Sequence, residues 1–231
     1  MPADALTQNR TQPSKLSLLG MPAANLVEFF ENLDEKPYRA RQIMRWLYQR
    51  YVTDYAQMSD LSATLRKQLK EITTTLLPPV LKHEHSDDGT RKWLLDVGAN
   101  QAIETVHIPE PDRGTLCISS QAGCALDCAF CATGYQGFNR NLTSAEVLGQ
   151  VVLAARELAP ARITNVVFMG MGEPLANYRN VLPVVHLLID DQAFGLSRRR
   201  VTISTAGVVP HILKLAGDCN VALAVSLHAP T

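Results

Sequence analysis

The first third of the chain carries apolar residues at helical spacing. Leu26, Phe29, Phe30 and Leu33 stand at i, i+3, i+4 and i+7, which places them on one helix face. Ile43, Trp46 and Leu47 repeat the pattern, as do Leu61, Leu65, Leu69 and Ile72, before Pro78-Pro79 breaks it. Residues 16–80 therefore predict a small helical domain whose three stripes pack against one another. The preceding residues 1–15 are polar (Thr7, Gln8, Asn9, Thr11, Gln12) and predict a disordered tail.

Beyond the prolines the period changes. Arg91–Val97 and Ala102–Ile108 read as strands joined by Gly98-Ala99-Asn100, a β-hairpin within a linker spanning 81–110. From 111 to 231 strands alternate with helices. Thr115–Ser120, Asn165–Met169, Arg200–Ser204 and Val221–Leu227 predict four parallel strands. Between them, Thr143-Ser-Ala-Glu146 is a capping box that opens a helix to about Leu158. Further helices are predicted over Asn180–Ile189 and Pro210–Leu215. The class is α/β, a parallel sheet covered by helices. The sequence stops just after a strand, so the expectation is a piece of a longer architecture.

Charge alters this picture in one place. Overall, 22 basic residues balance 22 acidic ones, so no global field points to nucleic acid or membrane. Between Lys36 and Lys70, however, eight basic residues (Lys36, Arg39, Arg41, Arg45, Arg50, Arg66, Lys67, Lys70) meet only Asp54 and Asp60. Arg41, Arg45 and, less exactly, Arg50 can share a face opposite Ile43 and Leu47. That face is either a solvated helix surface or an RNA-docking surface whose cations displace counterions from phosphates. With no membrane-length apolar run and no secretion signal, a soluble protein of the cytoplasm is expected.

Four of the five cysteines (Cys117, Cys124, Cys128, Cys131) fall within fifteen residues. In a reducing compartment such crowding favours metal or redox chemistry over structural disulfides. Cys219 stands alone and reads as an inert, semi-buried thiol. Cys124, Cys128 and Cys131 form C-x3-C-x2-C just past a predicted strand. A structural zinc site needs a fourth protein ligand, and none stands at finger spacing. A [4Fe–4S] cluster held by three cysteines keeps one iron open to a small molecule.

The loop, with Phe130 before its last cysteine, resembles the signature of radical S-adenosylmethionine (SAM) enzymes. Thr115-Leu-Cys117-Ile-Ser-Ser-Gln-Ala-Gly-Cys124, Gly137-Phe-Asn-Arg-Asn-Leu, Met169-Gly-Met-Gly-Glu-Pro and Ser226-Leu-His-Ala-Pro resemble the RlmN family. These are dual-specificity methyltransferases acting on C2 of an adenine in 23S rRNA and in certain tRNAs. The resemblance covers nearly all of the chain from about Leu16.

It implies a partial (β/α) radical-SAM barrel, truncated at about four parallel strands and preceded by the helical domain and hairpin. Cys124, Cys128 and Cys131 would hold the [4Fe–4S] cluster. Gly172, Glu173, Ser204, Ser226, Leu227 and His228 match SAM-contact positions. Glu104 matches the proton acceptor, and Cys117 the thiol that pairs transiently with a second cysteine. The family relays a methyl through a C-terminal cysteine, because C2 of adenine is electrophilic and resists a methyl cation donor. That cysteine has no match in these residues, and Cys219 stands in the wrong context, so this chain alone is expected not to transfer methyl. The implied partners are 23S rRNA, tRNA and a low-potential electron donor, with the chain a monomer. Three rivals remain: a C8-adenine methyltransferase of the same class, a non-catalytic RNA-binding or Fe–S fragment, and a zinc-stabilised domain.

Overall fold

The computed structural model describes residues 15–227. The expected tail 1–15 therefore lies outside the described residues except for Lys15, as does His228. Described helices are α1 (Ala23–Glu31), α2 (Tyr38–Met44), α3 (Ala63–Ile72), α4 (Ala132–Tyr135), α5 (Ser144–Leu158), α6 (Tyr178–Ile189) and α7 (Val209–Asp218). Two short strands, β1 (Leu16–Ser17) and β2 (Thr73–Thr74), pair in parallel and close the helical segment at its ends.

The central sheet has seven strands: β3 (Val80–His85), β4 (Arg91–Asp96), β5 (Ala102–Glu110), β6 (Arg113–Cys117), β9 (Asn165–Phe168), β10 (Val201–Thr205) and β11 (Ala222–Val225). A separate ribbon pairs β7 (Gln121–Gly123) with β8 (Phe138–Asn141). The large sheet runs β11-β10-β9-β6-β5-β4-β3. β6, β9, β10 and β11 are mutually parallel, the four strands expected, and β5, β4 and β3 continue the sheet antiparallel.

Helix α5 returns the chain from β6 to β9, α6 from β9 to β10, and α7 from β10 to β11. The capping box of α5 forms as read: Thr143 Oγ1 accepts the Glu146 N–H at 3.2 Å, and Glu146 Oε2 accepts the Thr143 N–H at 2.8 Å. Leu148, Val151, Val152 and Leu158 bury the helix's inner face within the same core as Leu116, Val166 and Ile203.

Four details differ from expectation. The hairpin pairs as predicted (Leu94 opposite Glu104), but it is continuous with the parallel sheet through β5 and β6 and carries a third strand, β3. The strand expected over Thr115–Ser120 ends at Cys117, because the main chain at Ser119 is taken by the Gln150 side chain, which donates to its carbonyl at 2.9 Å and accepts its N–H at 2.8 Å. Ile72 is exposed, since α3 ends there and Thr73, buried, turns into β2. Finally, the helical stripes do not pack only on themselves. The Tyr48 hydroxyl accepts the Gly20 N–H at 3.0 Å and its ring meets Phe194 at 5.3 Å, while Leu18 and Leu19 join one core with α5.

After α2 the helix widens to a π-turn over Arg45–Gln49, which rotates the residues beyond it relative to a regular helix. Arg41, Arg45 and Arg50 are all exposed. Arg50 stacks over the Trp46 ring at 4.1 Å, and Arg39 pairs with Glu35 at 3.0 Å.

Candidate functional site

Side chains alternate along strands, so one register row shows what each sheet face carries. Glu84, Lys92, Val106, Cys117, Val167, Thr202 and Ala222 stand side by side across the sheet. Leu116, Val166 and Val201 on the opposite face are buried. The row containing Cys117 therefore faces away from that buried layer. Glu104 is two residues from Val106 and shares the face.

Where the parallel strands end, their loops surround a cavity of about 360 Å³ lined by Cys124, Cys128, Cys131, Glu173, Ser204 and Ser226. Open α/β sheets bind ligands at this end. The cysteine loop follows β7 and leads into α4. It doubles back tightly: the Cys124 N–H donates to Gly137 O at 3.2 Å and the Cys131 N–H to Cys128 O at 2.9 Å. A Cβ on Gly123 would sit 1.8 Å from Gly137 O, so only glycine fits that crossing. All three thiols are free and half-buried. Burial pushes the Cys124 thiol up, and neighbouring Cys128, Cys131 and Glu173 push it further, against the Leu126 N–H that donates to its sulfur.

Across the cavity wall, Met169–Glu173 form the turn after β9. Gly172 has φ +93, and a Cβ there would stand 2.4 Å from Gln121 Cβ. At Gly170 a Cβ would meet Ser119 Oγ at 2.7 Å. Glycines at a strand end such as these allow backbone to approach a ligand closely. Their Cβ directions are filled instead by the protein's own segment 118–121. Glu173 is buried. Its Oε1 accepts the Leu175 N–H at 3.0 Å and its Oε2 the Ala206 N–H at 2.9 Å. Each carboxylate oxygen retains further lone-pair capacity toward the cavity.

Of the other residues singled out in the sequence, Ser204 and Ser226 line the cavity, and the Ser226 N–H donates to Thr205 O at 2.9 Å. Leu227 is 79% exposed and does not line the cavity. Cys117 is half-buried beside the Met169 backbone, and burial pushes its thiol up. Glu104 is not a cavity-lining residue. Its carboxylate pairs with Lys92 Nζ at 3.2 Å, and its backbone carbonyl accepts the Ser119 hydroxyl at 2.6 Å. Cys219 is remote from the cysteine loop, capping α7.

Sequence reasoning gave no role to a buried polar layer beneath this site. Ser119, Ser120, Gln121, Gln150 and Asn177 are all nearly inaccessible. Ser119 Oγ accepts the Met171 N–H at 2.9 Å, and Asn177 Nδ2 donates to Ser120 O at 2.7 Å and to Leu142 O at 2.8 Å. Uncharged polar residues in a run otherwise readable as buried strand were the available signal.

Residues 16–75 match the family model for the ribosomal RNA large subunit methyltransferase N-terminal domain, and residues 118–231 that for the radical SAM superfamily. A dual-specificity RNA methyltransferase RlmN from Marinobacter nauticus is 53% identical over 221 residues, 94% of this chain and 60% of the relative. The counterpart from Saccharophagus degradans is 50% identical over 229 residues, 96% of this chain and 58% of the relative. The chain matches RlmN methyltransferases along nearly its whole length.

A solved radical SAM methyltransferase from Sphaerobacter thermophilus superposes with TM-score 0.88 at 42% identity, covering 94% of this chain and 64% of that one. The sheet is thus a partial radical-SAM barrel. The chain spans about 60% of the length of the curated relatives it matches.

The radical SAM match and the RlmN relatives imply a [4Fe–4S] cluster and SAM as cofactors. The donor set fits them. Among the described residues no three His, Cys, Asp or Glu side chains converge closely enough to hold a single metal ion. Such convergence is what a zinc site requires. An iron–sulfur cube differs, because each cysteine takes a separate iron corner and the three sulfurs need only line one space. Three soft thiols beside a carboxylate in one cavity meet that need.

Proposed function

We propose that this chain carries the cluster- and SAM-binding half of an RNA methyltransferase that modifies C2 of an adenine in 23S rRNA and in tRNAs. The observation that carries the reading is the single cavity shared by Cys124, Cys128, Cys131 and the Glu173 turn at the strand ends. Cys124, Cys128 and Cys131 would each ligate one iron. Glu173 would accept hydrogen bonds from the SAM ammonium, a charge-assisted contact. The Ser204 and Ser226 hydroxyls and Gly172 would complete the cavity's SAM-binding set; Leu227 and His228, which follow Ser226 in sequence, are added on the resemblance alone. When bound, the cluster supplies an electron to SAM, which supplies the methyl carbon and the hydrogen-abstracting radical.

The remaining chemistry falls to protein groups. Glu104 would take the C2 proton; it shares a sheet face with Cys117, and the Lys92 ammonium 3.2 Å away orients its carboxylate. Cys117, whose thiol burial pushes up, would give up its proton and attack the sulfur of the methyl-bearing cysteine; the transient disulfide forms as that sulfur's bond to the transferred carbon breaks, and the carbon takes up a proton to leave as the methyl group on the base. The resemblance places that second cysteine in the C-terminal part of the family's proteins, so methyl transfer is proposed for the full-length architecture. The exposed Arg41, Arg45 and Arg50 supply a surface for RNA phosphates. A low-potential electron donor, a monomeric state and a cytoplasmic setting complete the proposal. The last is supported by four cysteines crowded together as in proteins of reducing compartments. Among the described residues no helix is long and apolar enough to cross a membrane.

The test is anaerobic reconstitution followed by SAM and dithionite. Formation of 5′-deoxyadenosine supports the reading, and an iron-loaded chain that leaves SAM intact overturns it. Mapping the methyl on RNA treated with the full-length protein separates C2 from C8.

A further inference from the structure

We infer that Gln121 is a positioning residue that sets the cysteine loop and the Glu173 turn at a fixed separation; the inference rests on the cofactor reading above. Gln121 is 1% exposed, on β7 directly before the loop. Its Oε1 accepts two backbone N–H groups: that of Ala125, the residue after Cys124, at 3.1 Å, and that of Glu173 at 2.9 Å. One oxygen thus joins the peptide after the first cluster cysteine to the peptide of the carboxylate proposed to receive SAM. A carbonyl oxygen has two lone pairs, and both are used.

The other end of the amide is fixed as well. Gln121 Nε2 donates to Asn141 Oδ1 at 2.8 Å, which orients the oxygen toward the two N–H groups. The Gly172 turn packs directly on the Gln121 side chain, with no space for a Cβ between them. Ala125 and Glu173 are 48 residues apart in sequence, and Gln121 is their shared partner. A cluster iron and SAM must meet within bonding distance, so a shift between these two walls is felt at once in SAM affinity. A residue that served stability alone would lower melting temperature without changing how tightly a loaded chain binds SAM.

The experiment uses the anaerobically reconstituted chain and measures iron per chain, SAM dissociation constant and the cluster's electron paramagnetic resonance signal with and without SAM. Gln121→Met keeps the length and removes both acceptor sites; Gln121→Glu restores an acceptor oxygen. With iron loading as in the parent, Gln121→Met is expected to weaken SAM binding about tenfold and to alter the SAM-induced spectral change, the consequence of losing two hydrogen bonds. Gln121→Glu is expected to bind SAM more tightly than Gln121→Met but more weakly than the parent, since its oxygen accepts from the same two N–H groups while nothing donates to Asn141 Oδ1.

Parent-like SAM affinity and spectra in iron-loaded Gln121→Met overturn the inference. If that variant fails to fold, Asn141→Ala carries the test by freeing the amide's other end. SAM binding weakened at least about threefold at unchanged iron supports the inference, and unchanged binding overturns it. A parent chain that takes up iron but no SAM contradicts the cofactor reading itself, a result distinct from a defect confined to the variants.

Discussion

The Glu173 carboxylate accepts the Ala206 N–H at 2.9 Å and so joins the turn after β9 to the end of β10. Its other oxygen caps the short helical turn Pro174–Asn177 through the Leu175 N–H. The same side chain therefore both braces the cavity wall and lines the cavity. Glu173→Ala leaves the buried Leu175 N–H and the part-buried Ala206 N–H without that partner. The substitution is expected to cost about 2–4 kcal/mol in urea unfolding of the metal-free chain, from two charge-assisted bonds. Equal stability of the two chains would show that these bonds do not hold the wall.

Gly172 occupies a backbone region that side chains rarely adopt, with Gln121 filling the space a Cβ would need. Gly172→Ala should destabilise by about 2 kcal/mol or more through strain and overlap. Gly217 in α7 is the contrast, because a Cβ there meets nothing within 4 Å. Gly217→Ala should be neutral or stabilising by up to about 1 kcal/mol. Thermal melts of the two variants read the difference.

Burial raises the Glu146 carboxyl, but the Arg140 guanidinium at 2.6 Å and the Thr143 N–H and hydroxyl outweigh it and hold it below the usual carboxylate range. A depressed value means the stabilisation is complete above the ordinary glutamate pKa, 4.5, and is lost as pH falls through the lower folded value. Stability should therefore fall on acidification below about pH 4.5 more steeply in the parent than in Glu146→Gln. Urea midpoints at neutral and acid pH test this. Thr143→Ala, which removes the reciprocal half of the capping box, should cost about 1 kcal/mol at neutral pH.

How much could be read in the sequence depended on the range of the interaction. The capping box at Thr143 and Glu146 and the four parallel strands are local patterns, and each forms where its residues predicted it, except that β6 ends at Cys117. β3 was not visible because Lys82, His83, Glu84 and His85 break any apolar alternation on an edge strand. Ile72 looked like a stripe residue because spacing alone does not report where α3 ends. The role of Gln121 was hidden for a different reason. Its partners Asn141 and Glu173 lie 20 and 52 residues away, and only the folded sheet brings them together.

The exposed cations of α2 and its π-turn make a separate prediction. Arg41→Glu with Arg45→Glu should weaken binding to an rRNA fragment and flatten its dependence on salt, because two phosphate-neutralising charges are lost. Unchanged affinity and slope would remove this face from the RNA surface.

The central claim is that Cys124, Cys128 and Cys131 share one cluster. Iron and acid-labile sulfide analysis after anaerobic reconstitution tests it most directly, in the parent and in Cys128→Ala. The account predicts about four irons and four sulfides per parent chain, with the variant losing most of both. A parent that loads zinc without sulfide, or a Cys128→Ala chain that keeps its full iron and sulfide, would contradict it.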